Sequence, residues 1–403
     1  MPYYSEAAVE RAMKVQEVIL RAVAKKITWI QAAEILGVSP RHMRRWKEKY
    51  ERFGFHALFD GRRGRASPRR VPSAVLDEVL RLYRERYFDL NIRHFHEKLT
   101  GEHGHTVSYT WTKGVLQGAG LVKRQPRRGG HRKRRARRPL TGMLLHIDAS
   151  QHQWFCDERW HDLIVILDDA TSRIYYAQLV EQESTRTVLR ALRQVVEQEG
   201  LFCSLYSDRA SHFWLTPKAG EPVDRQALTQ VGRALRELGI QMIPAYSPQA
   251  RGRSERSFRT WQGRLPQELR LAAITSLEEA NRFLRERYVA EFNERFSVAA
   301  AEEGTAFVPC TRADLDRVLC LQHERVVARD NTVSFARLTL QIERQQWRST
   351  LSGCRVTVYE HLDGTLSIGF GAHEVGRYSA EGLPLKAAAA KDEVKKAAKK
   401  RAA

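Results

Sequence analysis

Residues 144–150 read LLHIDAS, a short apolar run that closes on an aspartate. Just before it lies KRQPRRGGHRKRRARR (123–138), which holds ten Lys or Arg and no acid. The Leu/Ile run has the look of a buried strand, and a lone Asp at such an end is ordinarily a turn residue. The next hundred residues decide otherwise. LIVIL (163–167) and IYYAQLV (174–180) repeat the strand pattern, with DDATSR (168–173) as a hairpin-length turn between them. Val188, Leu189, Leu192, Val195 and Val196 then recur at helical spacing as far as Gly200. LFCSLYSD (201–208) is a fourth strand, LTQVGRALRELG (228–239) a helix and IQMIPAY (240–246) a fifth strand. After the Pro/Gly loop SPQARGR (247–253) comes a helix, SERSFRTWQGRL (254–265). This order, three strands and then alternating helix and strand, predicts a mixed α/β sheet with helices on its faces.

In that frame Asp148 ends the first strand, Asp208 ends the fourth, and Glu255 opens the helix beyond the last. Strand ends at one sheet edge are neighbours in space whatever their separation along the chain. Three carboxylates gathered there repel one another unless cations sit between them. Hard oxygen donors favour Mg²⁺ or Mn²⁺. Two such ions, about 3.5–4 Å apart, activate an attacking oxygen and stabilise a leaving one in phosphodiester displacement. Glu255 could instead merely complement a helix dipole, but the company of two aspartates favours catalysis. Arg259 and Gln262 follow Glu255 at i+4 and i+7, share its face, and are expected to touch DNA. Arg253, Arg256 and His152 are accessory candidates for holding phosphate or water. Asp168 and Asp169 are expected to serve the turn, and Asp157 and Glu158 to be solvated.

The bulk properties agree. A chain of 403 residues has room for two to four domains, and 42% hydrophobic content supports real cores. The formal net charge of +21 implies a polyanionic partner, with nucleic acid ahead of an anionic membrane. No apolar run approaches the ~18–20 residues a membrane helix needs, and a cytoplasmic, nucleoid-associated protein is expected. The absence of GxxxxGK[ST] argues against a nucleotide-driven motor, and five scattered cysteines without CxxC argue against disulfides or a thiolate zinc site.

Toward the N-terminus, ITWIQAAEILGVSPRHMRRWKEKYERFG (27–54) reads as two helices about a tight turn. Ile27, Ile30, Ala33, Ile35 and Leu36 are the expected inner face of the first. Gly37 supplies a left-handed helix end, and Ser39 and Pro40 a cap and first turn. Met43, Trp46 and Tyr50 point inward from the second, leaving Arg41, His42, Arg44, Arg45 and Lys47 for a major groove. The expected order is a helix-turn-helix domain over 1–60, a basic linker over 61–73 and a second helix-turn-helix-like domain over 74–122. A basic arm over 123–140 follows, where Arg127, Arg128, Arg132, Lys133, Arg134 and Arg135 track phosphates. His94, His96, His103 and His105 could suggest zinc, but without a cysteine they read as solvated or capping.

As a whole the sequence resembles the DDE transposases and integrases with an RNase H-like core, and best the bacterial insertion-sequence transposases of the ISNCY type. The resemblance is carried by LLHIDASQHQWF (144–155), VILDDATSRIYYAQLVE (165–181), YSDRASHF (206–213), LTQVGRALRELGIQMIPAYSPQARGRSERSFRTWQGRLP (228–266) and FNERFSV (292–298). QAAEILGVSPRHMRRWKEKYERFG (31–54), RHFHEKL (93–99) and VSYTWTKGVLQGAGLVKR (107–124) extend it over nearly the whole chain. It implies an RNase H-like core over 141–305 with Asp148, Asp208 and Glu255 as the catalytic triad, using two Mg²⁺ or Mn²⁺ ions. It also implies binding of terminal inverted repeats, Mg-dependent end cleavage, joining of the 3′-hydroxyl ends to target DNA, and a homodimer or larger assembly without nucleotide cofactor. Ala149 stands where many relatives have Gly, and PKAGEPVDR (217–225) lengthens the gap between Asp208 and Glu255.

At the C-terminal side, NTVSFARLTLQI (331–342), CRVTVYEH (354–361) and TLSIGF (365–370) alternate apolar and polar residues, with a turn at Asp363-Gly364. A small SH3-like β-barrel over 306–385 is expected, then a basic low-complexity tail over 386–403. Two rival functions remain: a DNA-binding regulator with an inactive core, and a structure-specific RNase H-like nuclease.

Overall fold

The computed structural model describes residues 5–60, 70–124, 136–155, 157–216, 222–224, 226–246 and 252–385. Residues 61–69 of the expected linker, most of the basic arm with Arg127, Arg128, Arg132, Lys133, Arg134 and Arg135, and the tail lie outside the described residues. The chain divides into two compact units, residues 1–86 and 87–403. That boundary falls inside the 74–122 stretch expected to form one domain.

In the first unit, α1 (Glu6–Val23) packs Ala12, Val15, Val18, Ile19 and Ala22 against α2 (Trp29–Ile35) and α3 (Pro40–Phe53). Thr28 closes a capping box with Gln31 at the start of α2. Gly37 has φ +63° and the Ser39 hydroxyl accepts the His42 amide, as the turn requires. The inward face of α2 differs from expectation: Ile30 and Ile35 are exposed, while Ala32 and Ala33 are buried. A seven-residue helix meets its neighbours along one narrow stripe, and small side chains there permit close approach. The unit ends with α4 (Ser73–Glu85).

The second unit begins with α5 (Ile92–Gly101) and α6 (Tyr109–Gly118). Its centre is a five-stranded sheet of β1 (Leu145–His152), β2 (His161–Asp168), β3 (Ile174–Val180), β4 (Ser204–Ser207) and β5 (Gln241–Pro244), in the order β3-β2-β1-β4-β5. The β1, β2 and β3 strands pair antiparallel, while β4 pairs parallel with both β1 and β5. This is the mixed α/β sheet read from the element order. β1 runs further than expected, so Asp148 is an interior residue opposite Val165. The polar continuation Ala149–His152 is held extended by pairing with β2, a tertiary effect that local propensity does not carry.

Strand alternation gives the sheet two faces. On one, Leu145, Ile147, Ile164, Ile166 and Leu205 pack against α7 (Thr185–Gln198) and α8 (Gln230–Glu237). On the other, Leu163, Val165 and Leu167 pack with Phe258 and Trp261 of α9 (Ser254–Gln262) and Leu265 of α10 (Leu265–Leu271). α11 (Leu277–Phe283) runs through a π-helical turn at Leu284–Tyr288 into α12 (Val289–Phe296), and the Phe292 ring stacks on Trp261 at 4.3 Å. Asn281 and Asn293 turn their side-chain amides to the backbone of Leu179 and Ile174, at 2.7–2.9 Å, satisfying the free edge of β3.

A short α13 (Leu315–Val318) leads to β6 (Leu321–Val326), β7 (Thr332–Phe335), β8 (Leu338–Gln341), β9 (Arg355–Glu360), β10 (Leu366–Phe370) and β11 (His373–Tyr378). They form a four-stranded sheet, β11-β10-β9-β6, and a β7-β8 hairpin around a shared apolar core. The expected strand 331–342 is itself this hairpin. Ala336 and Arg337 take φ +46° and +65° at its tip, a two-residue turn that Asn or Gly would have announced and Ala-Arg does not.

Candidate active site

Asp148 lies on the sheet face covered by α9, because it shares parity with His146 and Ser150 rather than with Leu145 and Ile147. The parallel register pairs Leu145 with Leu205 and His146 with Tyr206, whose rings meet at 5.1 Å. The paired register ends there; continued two residues, it would carry Asp208, the first residue past β4, level with Asp148. Adjacent strands are about 4.7–4.9 Å apart, so this continuation would put both residues on the face that α9 covers. Asp148 is 6% exposed, while Asp208 is half-buried and accepts the Ala210 amide at 3.0 Å.

Glu255 occupies the exposed first turn of α9, the helix lying along β1. Gln262, at the other end of α9, donates to the Ser150 hydroxyl at 2.9 Å, which fixes the helix against the strand. Asp148 and Asp208 come from the paired strands β1 and β4, and Glu255 from the helix that covers this face. Among the described residues no three His, Cys, Asp or Glu side chains are grouped as metal ligands. The start of α9 is set by a different tie: Arg253 donates to the carboxylate of Asp169 and, at 2.7 Å, to its carbonyl.

Asp168 and Asp169 therefore do more than shape a turn. Asp168 accepts the amides of Gly142 and Thr171 and the Thr171 hydroxyl. Asp169 accepts the Arg138 amide and bonds His146 Nε2 at 2.8 Å. Burial alone would raise the Asp169 carboxyl, but the hydrogen bonds from His146 and Arg138 and the charges of His146 and Arg253 outweigh it and hold the group well below the usual range. Arg137 donates to the carbonyls of Asp169 and Ala170, so the described end of the basic arm is anchored at this turn.

Arg253 is thus committed inside the protein. Arg256 is exposed and donates to the Gly252 carbonyl, and Arg259 is exposed. Arg41, His42, Arg44 and Arg45 are exposed on α3, while Lys47 sits 4.9 Å over the Trp29 ring and 3.7 Å from Glu51. His152 stands on the Asp148 face, and burial lowers its pKa, which keeps the imidazole neutral at neutral pH. Asp157 pairs with Arg159 in an exposed loop.

One feature has no signal in the sequence. α5 and the residues just before it are clamped onto α9 and α10 by polar contacts, of which the His94–Glu268 bond is buried. Glu268 meets His94 at 2.6 Å and Lys98 at 3.0 Å, Arg264 chelates Glu97, Arg270 chelates Asp89, and Asn91 donates to the Gly263 carbonyl. Burial would raise Glu268, but His94 and Lys98 bring it down to about 2. His94, His96 and His103 bond Glu268, the Val107 carbonyl and Tyr87 respectively, roles of structure rather than of zinc ligation.

Comparison with known proteins adds to this geometry. Residues 16–66 match a family described as a helix-turn-helix domain. The chain is 34% identical over 373 residues, covering 92% of it and 81% of the relative, to a Sinorhizobium fredii protein named "Putative transposase y4bF". It is 28% identical over 313 residues, 69% of this chain and 67% of the relative, to the transposase for insertion sequence IS1202 of Streptococcus pneumoniae. Among solved structures, a simian T-cell lymphotropic virus intasome in complex with PP2A regulatory subunit B56 gamma matches at 12% identity and TM-score 0.32, covering 72% of this chain and 94% of that one. The HTLV-2 integrase catalytic core domain in complex with magnesium matches at 14% identity and TM-score 0.28, over 37% of this chain and 90% of that one. At such scores neither likeness carries weight.

Proposed function

The chain belongs to the bacterial transposases, and from that premise we propose that it is a DDE transposase of an insertion sequence. It binds the terminal inverted repeats of its element, hydrolyses the strand at each end, and joins the freed 3′-hydroxyl to target DNA. The observation that supports this reading is the parallel pairing of β1, which bears Asp148, with β4, which Asp208 follows, beneath the helix that bears Glu255.

The donor chemistry fits divalent cations. Carboxylates are hard oxygen ligands, and Asp208 and Glu255 are accessible from outside. Asp148, Asp208 and Glu255 would hold Mg²⁺ or Mn²⁺, two ions per site. Bound there, the cations supply polarisation of the scissile phosphodiester and a more nucleophilic attacking oxygen. The chain's own residues do the rest. The exposed Arg41, His42, Arg44 and Arg45 of α3 bind the DNA end in the major groove. Arg256 and Arg259, exposed beside Glu255, steady the phosphates next to the cut. Neutral His152 offers a hydrogen bond to phosphate or water. The basic arm tracks the backbone, and the C-terminal strands act as an SH3-like accessory module contacting DNA or a second subunit. Joining both ends requires a homodimer or larger assembly; no nucleotide is consumed, and the protein works at the nucleoid.

Asp208→Asn tests this. It should retain end-DNA binding while Mg²⁺-dependent cleavage falls about a thousandfold or more, as expected when several kcal/mol of metal-assisted stabilisation are removed. Equal cleavage by wild type and variant would leave only the regulator reading. Cleavage without a joined product on a target duplex would leave the nuclease.

A further inference from the structure

The C-terminal strands carry an aromatic surface that strand cleavage does not use. Phe370 and His373 face each other across the β10–β11 hairpin, whose tip holds Gly371 at φ +58°. Their rings form a floor on which Trp347 lies nearly flat, 11° from Phe370 at 6.0 Å and 29° from His373 at 4.7 Å. Trp347 comes from the loop between β8 and β9. That loop is pinned at one side by Gln345, which donates to the Glu343 and Val375 carbonyls, and at the other by the Leu351 amide on Asn331. With one ring face so covered, Trp347 is still 46% exposed.

Around it opens a cleft of about 410 Å³, lined by Arg344, Gln345, Gln346, Trp347, Arg348 and Ser349. Two arginines and no acid line it, and the Arg348 guanidinium lies 5.7 Å over the Phe370 ring. An indole braced from beneath and open above is held at little entropic cost, and its open face is complementary to another flat π-system. Arginines at the rim suit a phosphodiester attached to that π-system. Stacked bases inside a duplex do not offer a free face, whereas unpaired ones do.

We propose that Trp347, seated on Phe370 and His373 and flanked by Arg344 and Arg348, is a stacking site for an unpaired nucleobase of single-stranded DNA. The site is independent of the three acids, so it stands or falls apart from the strand chemistry. In the intact protein it gives a place to hold bases that end processing leaves unpaired.

The test uses the full-length chain and three fluorescently labelled probes: a short oligothymidylate, an abasic strand of the same length, and a ribo-oligouridylate. Wild type should bind the thymidylate about five- to a hundredfold more tightly than the abasic strand, the range of one base–aromatic stack. Trp347→Ala should abolish that difference and Trp347→Phe restore most of it. Arg348→Ala should weaken both DNA strands alike. Trp347 is exposed, so its removal leaves the core packing in place, and an unchanged melting temperature checks this. Equal binding of wild type to thymidylate and abasic strands, a difference that survives Trp347→Ala, or base-dependent binding confined to the ribo-oligomer overturns the proposal.

Discussion

Two acidic clusters border the same strand and have opposite characters. At the start of β1, Asp168 and Asp169 are wholly buried, and backbone amides, His146 and Arg253 meet their oxygens. Three residues further along, about 10 Å at strand rise, Asp148 stands below a helix whose Glu255 faces solvent, with Asp208 just past the end of the paired strand β4. The first cluster is closed: it takes its counter-charge from the chain and staples the basic arm, β1 and α9 together. The second reaches solvent at Asp208 and Glu255. An acid's role is set by what the fold brings to it, not by its place in a short acidic string.

Substitutions break this contrast in different currencies. Asp148→Asn and Glu255→Gln should each lower end cleavage by about a thousandfold or more while the thermal midpoint stays put. Asp169→Ala should do the reverse to stability. It strands Arg253 and His146 near or inside the core, and breaking such a buried pair costs about 3–5 kcal/mol, read as a lower denaturant midpoint. If Asp169→Ala is as stable as wild type but inactive, the two clusters have been assigned the wrong way round.

A smaller effect concerns the clamp between α5 and α10. Glu268 is held at about 2 against an unfolded value near 4.5. A depressed carboxyl contributes stability that is complete above the unfolded value and is lost as pH falls toward the folded one. Stability should therefore drop between about pH 4.5 and 2, by on the order of 2–3 kcal/mol from this group. Glu268→Gln should flatten that part of the acid titration. Smallest of all, Arg44→Ala or Arg45→Ala should weaken end-DNA binding a few-fold and reduce the salt slope by about one for each phosphate left unneutralised, with cleavage of already bound DNA unchanged.

The readable and unreadable parts of the molecule divide along range. Gly37, Ser39 and Pro40 announce their turn because caps and left-handed ends are settled by the residues themselves. Branched apolar runs announced the strands, and their alternation with helices announced the sheet. A mixed sheet with Asp148 and Asp208 on or next to its strands could be inferred, although Asp148 lies inside β1 and not at its end. The length of β1 could not, since only β2 keeps Ala149–His152 extended. Nor could the commitment of Arg253 to an aspartate 84 residues away, or of His94 to a glutamate 174 residues away. Such partners look like solvated charges until the chain is folded. Ile30 and Ile35 mislead for the converse reason: helical spacing marks a stripe, but a helix this short buries only its alanines.

Iron-directed cleavage of the protein backbone locates a bound divalent ion most directly. Fe²⁺ placed in the Mg²⁺ site of the full chain, with ascorbate and peroxide, cuts the polypeptide nearest the metal. Cuts clustered around residues 148, 208 and 255, all lost together in Asp148→Asn, are the predicted result. Cuts centred on 168–169, or a pattern indifferent to Asp148→Asn, would contradict it.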